Sequence, residues 1–435
     1  MYKKRFKLMA LCLVAVMAMA MLAGCGGGGA TTAPTTSPTT AVGGTNDPNA
    51  GSAGDKTLKI GFITGLTGVW AANGNAMVNG LKMYLEEKNN VLAGYNVEVF
   101  IEDDEGVVET GLNKARKLVE KDNVDILYGV MAANIGYAVA EYGVSQKIPV
   151  FLPCVAAEDL TQRKADPYII RTGWTSAQPM HPFGEWAYEQ GFRRVACMSF
   201  DYAFGHETVA GFRRTFEAAG GEITNTLWPA SGTTDYMPFL TQIPRDVDAI
   251  FVNFNGADSG RVLKQIRELG YTQPILGGST TVDEHILPQL GNEALDVYSA
   301  LQWCANIDRP ATKDFVDKYK EIYKTTPSYY AMESYGGLAF LEAGLEGAGG
   351  LSDVVAFGNA IKKANVVAVK SDITIDEYNN PIQDIYIRQV KMVDGEMKNE
   401  LVKVYSKVSQ FWTYGADKYL SKPVYGRDFK LSDYQ

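Results

Sequence analysis

The chain has 435 residues, enough for two or three domains. Apolar residues make up 46% and charged residues 21%, an ordinary globular mix that excludes disorder over most of the length. Three histidines and five cysteines are too few for a disulfide scaffold, and a net charge of −9 with no basic block past residue 7 excludes a nucleic-acid partner.

Lys3, Lys4, Arg5 and Lys7 precede the uncharged apolar run Leu8 to Ala23. That run is short of the roughly 20 residues a spanning helix needs, and it fits the apolar region of a secretory signal. It ends Leu22-Ala23-Gly24-Cys25, which resembles a bacterial lipobox. The resemblance implies cleavage after residue 24 and a lipid on the Cys25 sulfur; a plain signal peptide and an uncleaved anchor are the alternatives. Loss of residues 1–24 leaves 37 basic against 50 acidic residues, a net charge of −13, so acyl chains rather than charge would hold the chain to a membrane. Residues 25–56 are mostly Gly, Thr, Ala, Pro and Ser with no aromatic residue, and are expected to form a disordered tether with a reach of roughly 30 Å.

From Thr57 the pattern alternates strand and helix. Leu58 to Ile63 reads as a buried strand, and Met77, Leu81, Tyr84 and Leu85 fall on one face of the helix after it. Strand Val97–Ile101, a helix marked by Leu112, Ala115, Leu118 and Val119, strand Val124–Tyr128, helix Tyr137–Gln146 and strand Ile148–Leu152 follow. A second series begins after Trp174: helix Phe183–Gln190, strand Val195–Phe200, helix Glu207–Ala219, strands Ile223–Trp228 and Ala249–Val252, helix Ser259–Leu269 and strand Pro274–Leu276. The expectation is two doubly wound α/β units with parallel sheets. Ala311 to Ala364 reads as mainly helical, Asn379-Asn380-Pro381 separates strand-like runs at Asp372–Ile375 and Ile385–Val393, and residues 408–435, rich in aromatics but without period, read as a surface wrap.

The chain carries no phosphate-binding Gly-x-x-x-x-Gly-Lys loop, no Gly-x-Gly-x-x-Gly turn after the first strand and no Gly-x-Ser-x-Gly elbow. Catalytic residues, a metal and a cofactor are therefore not expected. His181, His206 and His285 are assigned surface or capping roles, and Asp103-Asp104 a hydrogen-bonded turn rather than a metal site. What remains is a set of strand-end turns rich in small, polar and aromatic residues. They contain Trp70, Asn134, Cys154, Ala156, Tyr202, Phe204, Asn255 and Thr280. Ligands of open parallel sheets bind beyond the carboxyl ends of the strands, where helix N-termini offer free N–H donors. Two such sheets facing each other would make a cleft lined from both sides.

The ordered segments Ile60 to Gly68, Asp103-Asp104, Tyr128-Gly129-Val130, Phe151-Leu152-Pro153, Asp201 to Gly205 and Pro327 to Tyr330 resemble the type I solute-binding proteins that feed ABC importers, in particular the Leu/Ile/Val-binding family. The resemblance spans about Thr57 to Tyr405. It implies a type I periplasmic-binding-protein fold with two lobes, 57–172 plus 303–378 and 173–302 plus 379–407. Three crossover strands would join them near Arg171–Thr175, Ala300–Trp303 and Asp376–Asp384. It also implies an exported, monomeric protein that hands a small solute to a membrane permease. In amino-acid-binding members two hydroxyl residues hold the ligand carboxylate; Ala133 and Ala156 stand there instead. Ser279 or Thr280 replaces the acid that holds the ammonium, and a cysteine pair of some members falls at Gly106 and Ala132. The candidate site is Trp70, Asn73, Ala133, Asn134, Cys154, Ala156, Tyr202, Phe204, Asn255, Thr280 and Tyr335. It favours a carboxylate with an aromatic or apolar body, its charge near Asn134 and Ala156 and its ring between Trp70 and Phe204. A branched-chain amino acid is the alternative ligand, and a sensor or an exported hydrolase the alternative function.

Overall fold

The computed structural model describes residues 56–435, so the leader, Cys25 and all but the last residue of the expected tether lie outside the described residues. The first lobe opens with β1 (Thr57–Thr64), α1 (Ala71–Glu87), β2 (Val91–Leu92), β3 (Tyr95–Asp103), α2 (Val108–Glu120), β4 (Ile126–Gly129), α3 (Ala133–Gln146), β5 (Val150–Leu152) and β6 (Ile169–Arg171). Its sheet runs β2-β3-β1-β4-β5-β6, parallel except for β2 at one edge. β4 and β5 are buried throughout, as expected of strands covered by helices on both faces.

The second lobe continues with α4 (Met180–Glu189), β7 (Arg194–Ser199), α5 (Ala203–Ala218), β8 (Glu222–Leu227), α6 (Met237–Leu240), β9 (Ala249–Asn253), α7 (Ala257–Glu268), β10 (Ile275–Gly277) and β11 (Tyr298–Leu301). The chain then returns to the first lobe as α8 (Pro310–Tyr323), α9 (Tyr329–Ala348) and α10 (Val354–Lys363). It crosses back for β12 (Thr374–Ile375), β13 (Pro381–Val393) and β14 (Glu396–Val408). The second sheet runs β12-β13-β11-β10-β9-β7-β8, with β14 on the outside of β13. Its core is parallel, and the late strands β12, β13 and β14 are antiparallel.

Polar side chains tie the three crossings together. Gln383 Nε2 donates to the Gly173 carbonyl at 2.8 Å, Gln302 Nε2 to Glu333 Oε1 at 2.8 Å, and Lys370 Nζ to the Thr172 carbonyl at 3.3 Å. The Lys370–Glu333 pair is buried on both sides, so each charge depends on the other.

Three sequence expectations change here. His181 is not a surface residue: it is fully buried, its Nε2 2.9 Å from the Tyr425 hydroxyl. His285 joins the two lobes instead of capping a surface turn, its Nε2 lying 2.9 Å from Asn73 Oδ1. Residues 409–435 contain a short helix, α11 (Ala416–Leu420), and build a core of their own from Phe411, Tyr419, Tyr425, Phe429 and Tyr434 against Ala177 and Ala210.

Candidate functional site

The carboxyl ends of both sheets face one another, and the turns beyond them meet around one small cavity. The first lobe contributes Trp70 from the turn after β1, Met131, Ala132 and Ala133 at the start of α3, and Cys154 and Ala156 after β5. Tyr329 and Tyr330, at the start of α9, complete that wall. Tyr202, Phe204 and Asn255 come from the second lobe, and Trp174 from the first crossing. Rings bridge the lobes: Trp174 is edge-on to Phe204 at 6.0 Å and to Tyr329 at 5.8 Å, separations typical of favourable aromatic pairs.

No charged side chain lines this cavity. Its polarity comes from helix ends. Ala132 and Tyr202, the residues before α3 and α5, give no side-chain cap, and the first intrahelical N–H bonds are those of Gly136 and His206. The N–H groups of the first turns, 133–135 and 203–205, therefore have no partner within their helices and carry the positive end of the helix dipole. The start of α9 is capped instead, because Ser328 Oγ accepts from Ala331 N and Asp283 Oδ1 from Tyr329 N. Two helix ends, one from each lobe, remain for a negative group.

The lobes are pressed together in this conformation. The cavity measures about 20 Å³, room for a water molecule or two, so the expected cleft is shut. A second space of about 330 Å³ shares Trp70 and Tyr202 with it and is lined by Asn134, Gly106, Glu105 and Asp201 as well. Polar contacts add to the bridging rings in holding the lobes shut: Asn73 with His285, Asp283 with the Tyr329 amide, and the Tyr137 hydroxyl donating to Glu207 Oε1 at 3.1 Å.

Of the sequence-derived candidates, Trp70, Ala133, Cys154, Ala156, Tyr202, Phe204 and Asn255 come together around the inner cavity, and Asn134 lines the outer space. Asn73 does not line either; its Oδ1 is taken up by His285, and its Nδ2 has no partner. Thr280 is buried beyond β10 and absent from both linings, with its hydroxyl unpartnered. Tyr335 is a correction: its ring packs on Tyr84 and Phe315, and its hydroxyl donates to Glu87 Oε2 at 2.9 Å, away from the cavity. Met131, Ala132, Trp174, Tyr329 and Tyr330 were missed. The signal for Trp174 was its place two residues beyond Thr172, on a crossing that must run beside the cleft. Asp103 builds its turn as expected: burial favours its neutral form, but the hydrogen bonds it accepts from the Leu66 and Glu105 amides and the Thr67 hydroxyl outweigh that and lower its pKa.

Two doubly wound lobes, crossed three times by the chain and closing over a cavity lined from both sides, define a solute-binding protein of the type I periplasmic fold. The model of the periplasmic binding protein family matches residues 57–396, and the chain belongs to that family. It is an extracytoplasmic solute-binding protein of an ABC transporter. Among solved structures it is similar to a solute binding protein of an ABC transporter from Rhodopseudomonas palustris BisB5 in complex with 3,4-dihydroxy benzoic acid. That match has 30% identity and a TM-score of 0.77, covering 81% of this chain and 98% of that one. An ABC transporter substrate-binding protein from Sphaerobacter thermophilus is 28% identical with a TM-score of 0.76, covering 82% of this chain and 99% of that one. A Leu/Ile/Val-binding protein homolog from Brucella abortus is 24% identical over 82% of this chain and 94% of its own length.

Proposed function

We propose that the protein captures a small aromatic carboxylate between its lobes and delivers it, unaltered, to a membrane permease. The observation that carries this reading is the composition of the cavity wall. Six aromatic side chains and two uncapped helix N-termini surround it, and no acidic side chain lines it. An α-amino acid would need an acceptor for its ammonium, because burying an unpaired charge is costly. The nearest acid built into the turn beyond β10, Asp283, is already engaged by His285 and by the Tyr329 amide. The relative solved with 3,4-dihydroxy benzoic acid supports the aromatic reading; the Brucella relative's name favours a branched-chain amino acid.

Because the closed cavity is too small for a six-membered ring, the lobes must part for entry and re-form around the guest. Closure then gains only what the ligand contributes by touching both lobes. A thermal-shift series on the purified protein with benzoate, 4-hydroxybenzoate, leucine and valine tests the reading. The aromatic acids should raise the melting temperature and be recovered chemically intact. A rise with leucine alone overturns the ligand class, and a product in place of the acid overturns the binding role.

The same reading includes lipid on Cys25, holding a monomer at the outer face of a membrane. Cells fed labelled palmitate should label the protein, and Cys25→Ser should abolish the label; persistent labelling of the variant would refute the anchor.

A further inference from the structure

We propose that the solute carries a hydrogen-bond donor on its ring as well as a carboxylate, with Trp174 Nε1 donating to the carboxylate and Asn255 Oδ1 receiving the ring donor. This rests on the aromatic-acid reading above and specifies it.

Three polar atoms around the inner cavity have no partner: Trp70 Nε1, Trp174 Nε1 and Asn255 Oδ1. All three residues line the cavity, and all are more than nine-tenths buried. Polar atoms orphaned in a protein interior bear a full desolvation penalty, so native structures keep few without a reason. A partner that arrives with the ligand is such a reason. The chemistry of that partner follows from the atoms. An indole N–H only donates, so the two tryptophans ask for acceptors; an amide oxygen only accepts, so Asn255 asks for a donor.

The placement sorts these demands by lobe. Trp70 belongs to the first lobe, and Trp174 is wedged between Phe204 and Tyr329, which fixes its N–H before any ligand arrives. Beside them lie the free amides at the start of α3. A carboxylate offers lone pairs to all of these at once. Asn255 belongs to the opposite lobe, where it lines the cavity beside Tyr202, and its Oδ1 has no partner. One neutral acceptor matches one hydroxyl. An ammonium, with three N–H groups and a charge, would be left underpaired there. An unsubstituted benzoate would satisfy the indoles and leave Asn255 orphaned across the cleft, so the ring donor is what links ligand recognition to lobe closure.

Calorimetric titration of the full-length protein with 3- and 4-hydroxybenzoate, each against the methylbenzoate of matching shape, tests the proposal without any variant. At least one hydroxy acid should bind tenfold or more tighter than its methyl counterpart. Asn255→Leu should bring that ratio within about threefold while methylbenzoate binding persists, and Trp174→Phe should weaken both acids tenfold or more. Equal binding of every hydroxy and methyl pair by the native protein overturns the proposal, as does a preference that survives in Asn255→Leu. If leucine binds and none of the aromatic acids does, it is the underlying ligand class that fails instead.

Discussion

Trp70 owes its position to a residue with no side chain. Gly106 sits at φ +72°, and a Cβ there would come within 2.9 Å of two carbons of the Trp70 ring. The bare backbone lets the indole lie against the turn beyond β3 and present its other side to the cavity. Trp70→Ala should weaken an aromatic acid by about 1–3 kcal/mol, the contribution of burying one large apolar side chain against it. Titration of the variant, with circular dichroism showing the fold retained, checks this; unchanged affinity removes Trp70 from the site. At this scale the sequence revealed residues in short strand-end turns, because a Gly-rich turn after a strand can point only beyond the sheet. It failed for Tyr335, chosen from the right helix at the wrong phase. Tyr329 and Tyr330 open α9 at the cavity, whereas Tyr335 lies six residues on, roughly 9 Å along the axis, on a face that meets α1 and α8.

Among the elements, most of the buried parallel strands were legible because they are short apolar runs between turns, with no polar face to confuse them, whereas β6 and β11 were expected only as crossings. β14 was not, since it is an outer strand rich in Lys and Glu, with Leu401, Val402 and Val404 partly open to solvent. Its signal lay in the turn before it. Asp394 and Gly395 both take positive φ, 54° and 81°, and Asp-Gly between extended runs is a strong short-range mark of a hairpin. The final aromatic segment lacked period for a different reason. Its rings follow the surface of two lobes rather than one face of a helix. Arg214 of α5 lies 3.7 Å from the Tyr414 ring centroid and donates to the Tyr425 hydroxyl at 2.9 Å. Tyr419 donates across to Glu158 of the first lobe at 2.8 Å, and Arg163 reaches back to the Lys422 carbonyl. A stretch that satisfies two neighbours at once leaves no single repeat to read.

Across the whole molecule, closure brings together two carboxyl groups that would repel each other if both were charged. Glu158 follows β5 in the first lobe and Glu207 lies on α5 in the second; both are buried. The Tyr137 hydroxyl, the Glu158 amide and the Ser176 hydroxyl face Glu207, while the Ala177 amide, Gln162 and the Tyr419 hydroxyl face Glu158. The nearby cation is Arg171, and its guanidinium is taken up by the Ala157 carbonyl, Thr161 and Asn380. Burial, then the neighbouring Glu158, pushes Glu207 up to about 8, and burial raises Glu158 as well. A carboxyl whose folded value exceeds its unfolded one binds more protons in the closed, folded state. Its contribution to stability is complete below the ordinary glutamate range and is lost as pH rises through the folded value. The melting temperature should therefore fall by on the order of a few degrees between pH 6.5 and 9. That window lies above the value of about 6 to which burial raises Asp104 beside Trp70, so Asp104 contributes little to the slope. Glu207→Gln, which cannot ionise, should flatten the decline whatever its absolute stability, and should likewise flatten any loss of ligand affinity over the same interval. A variant that keeps the native slope would separate this pair from the closing of the lobes and return the pH dependence to groups elsewhere in the fold.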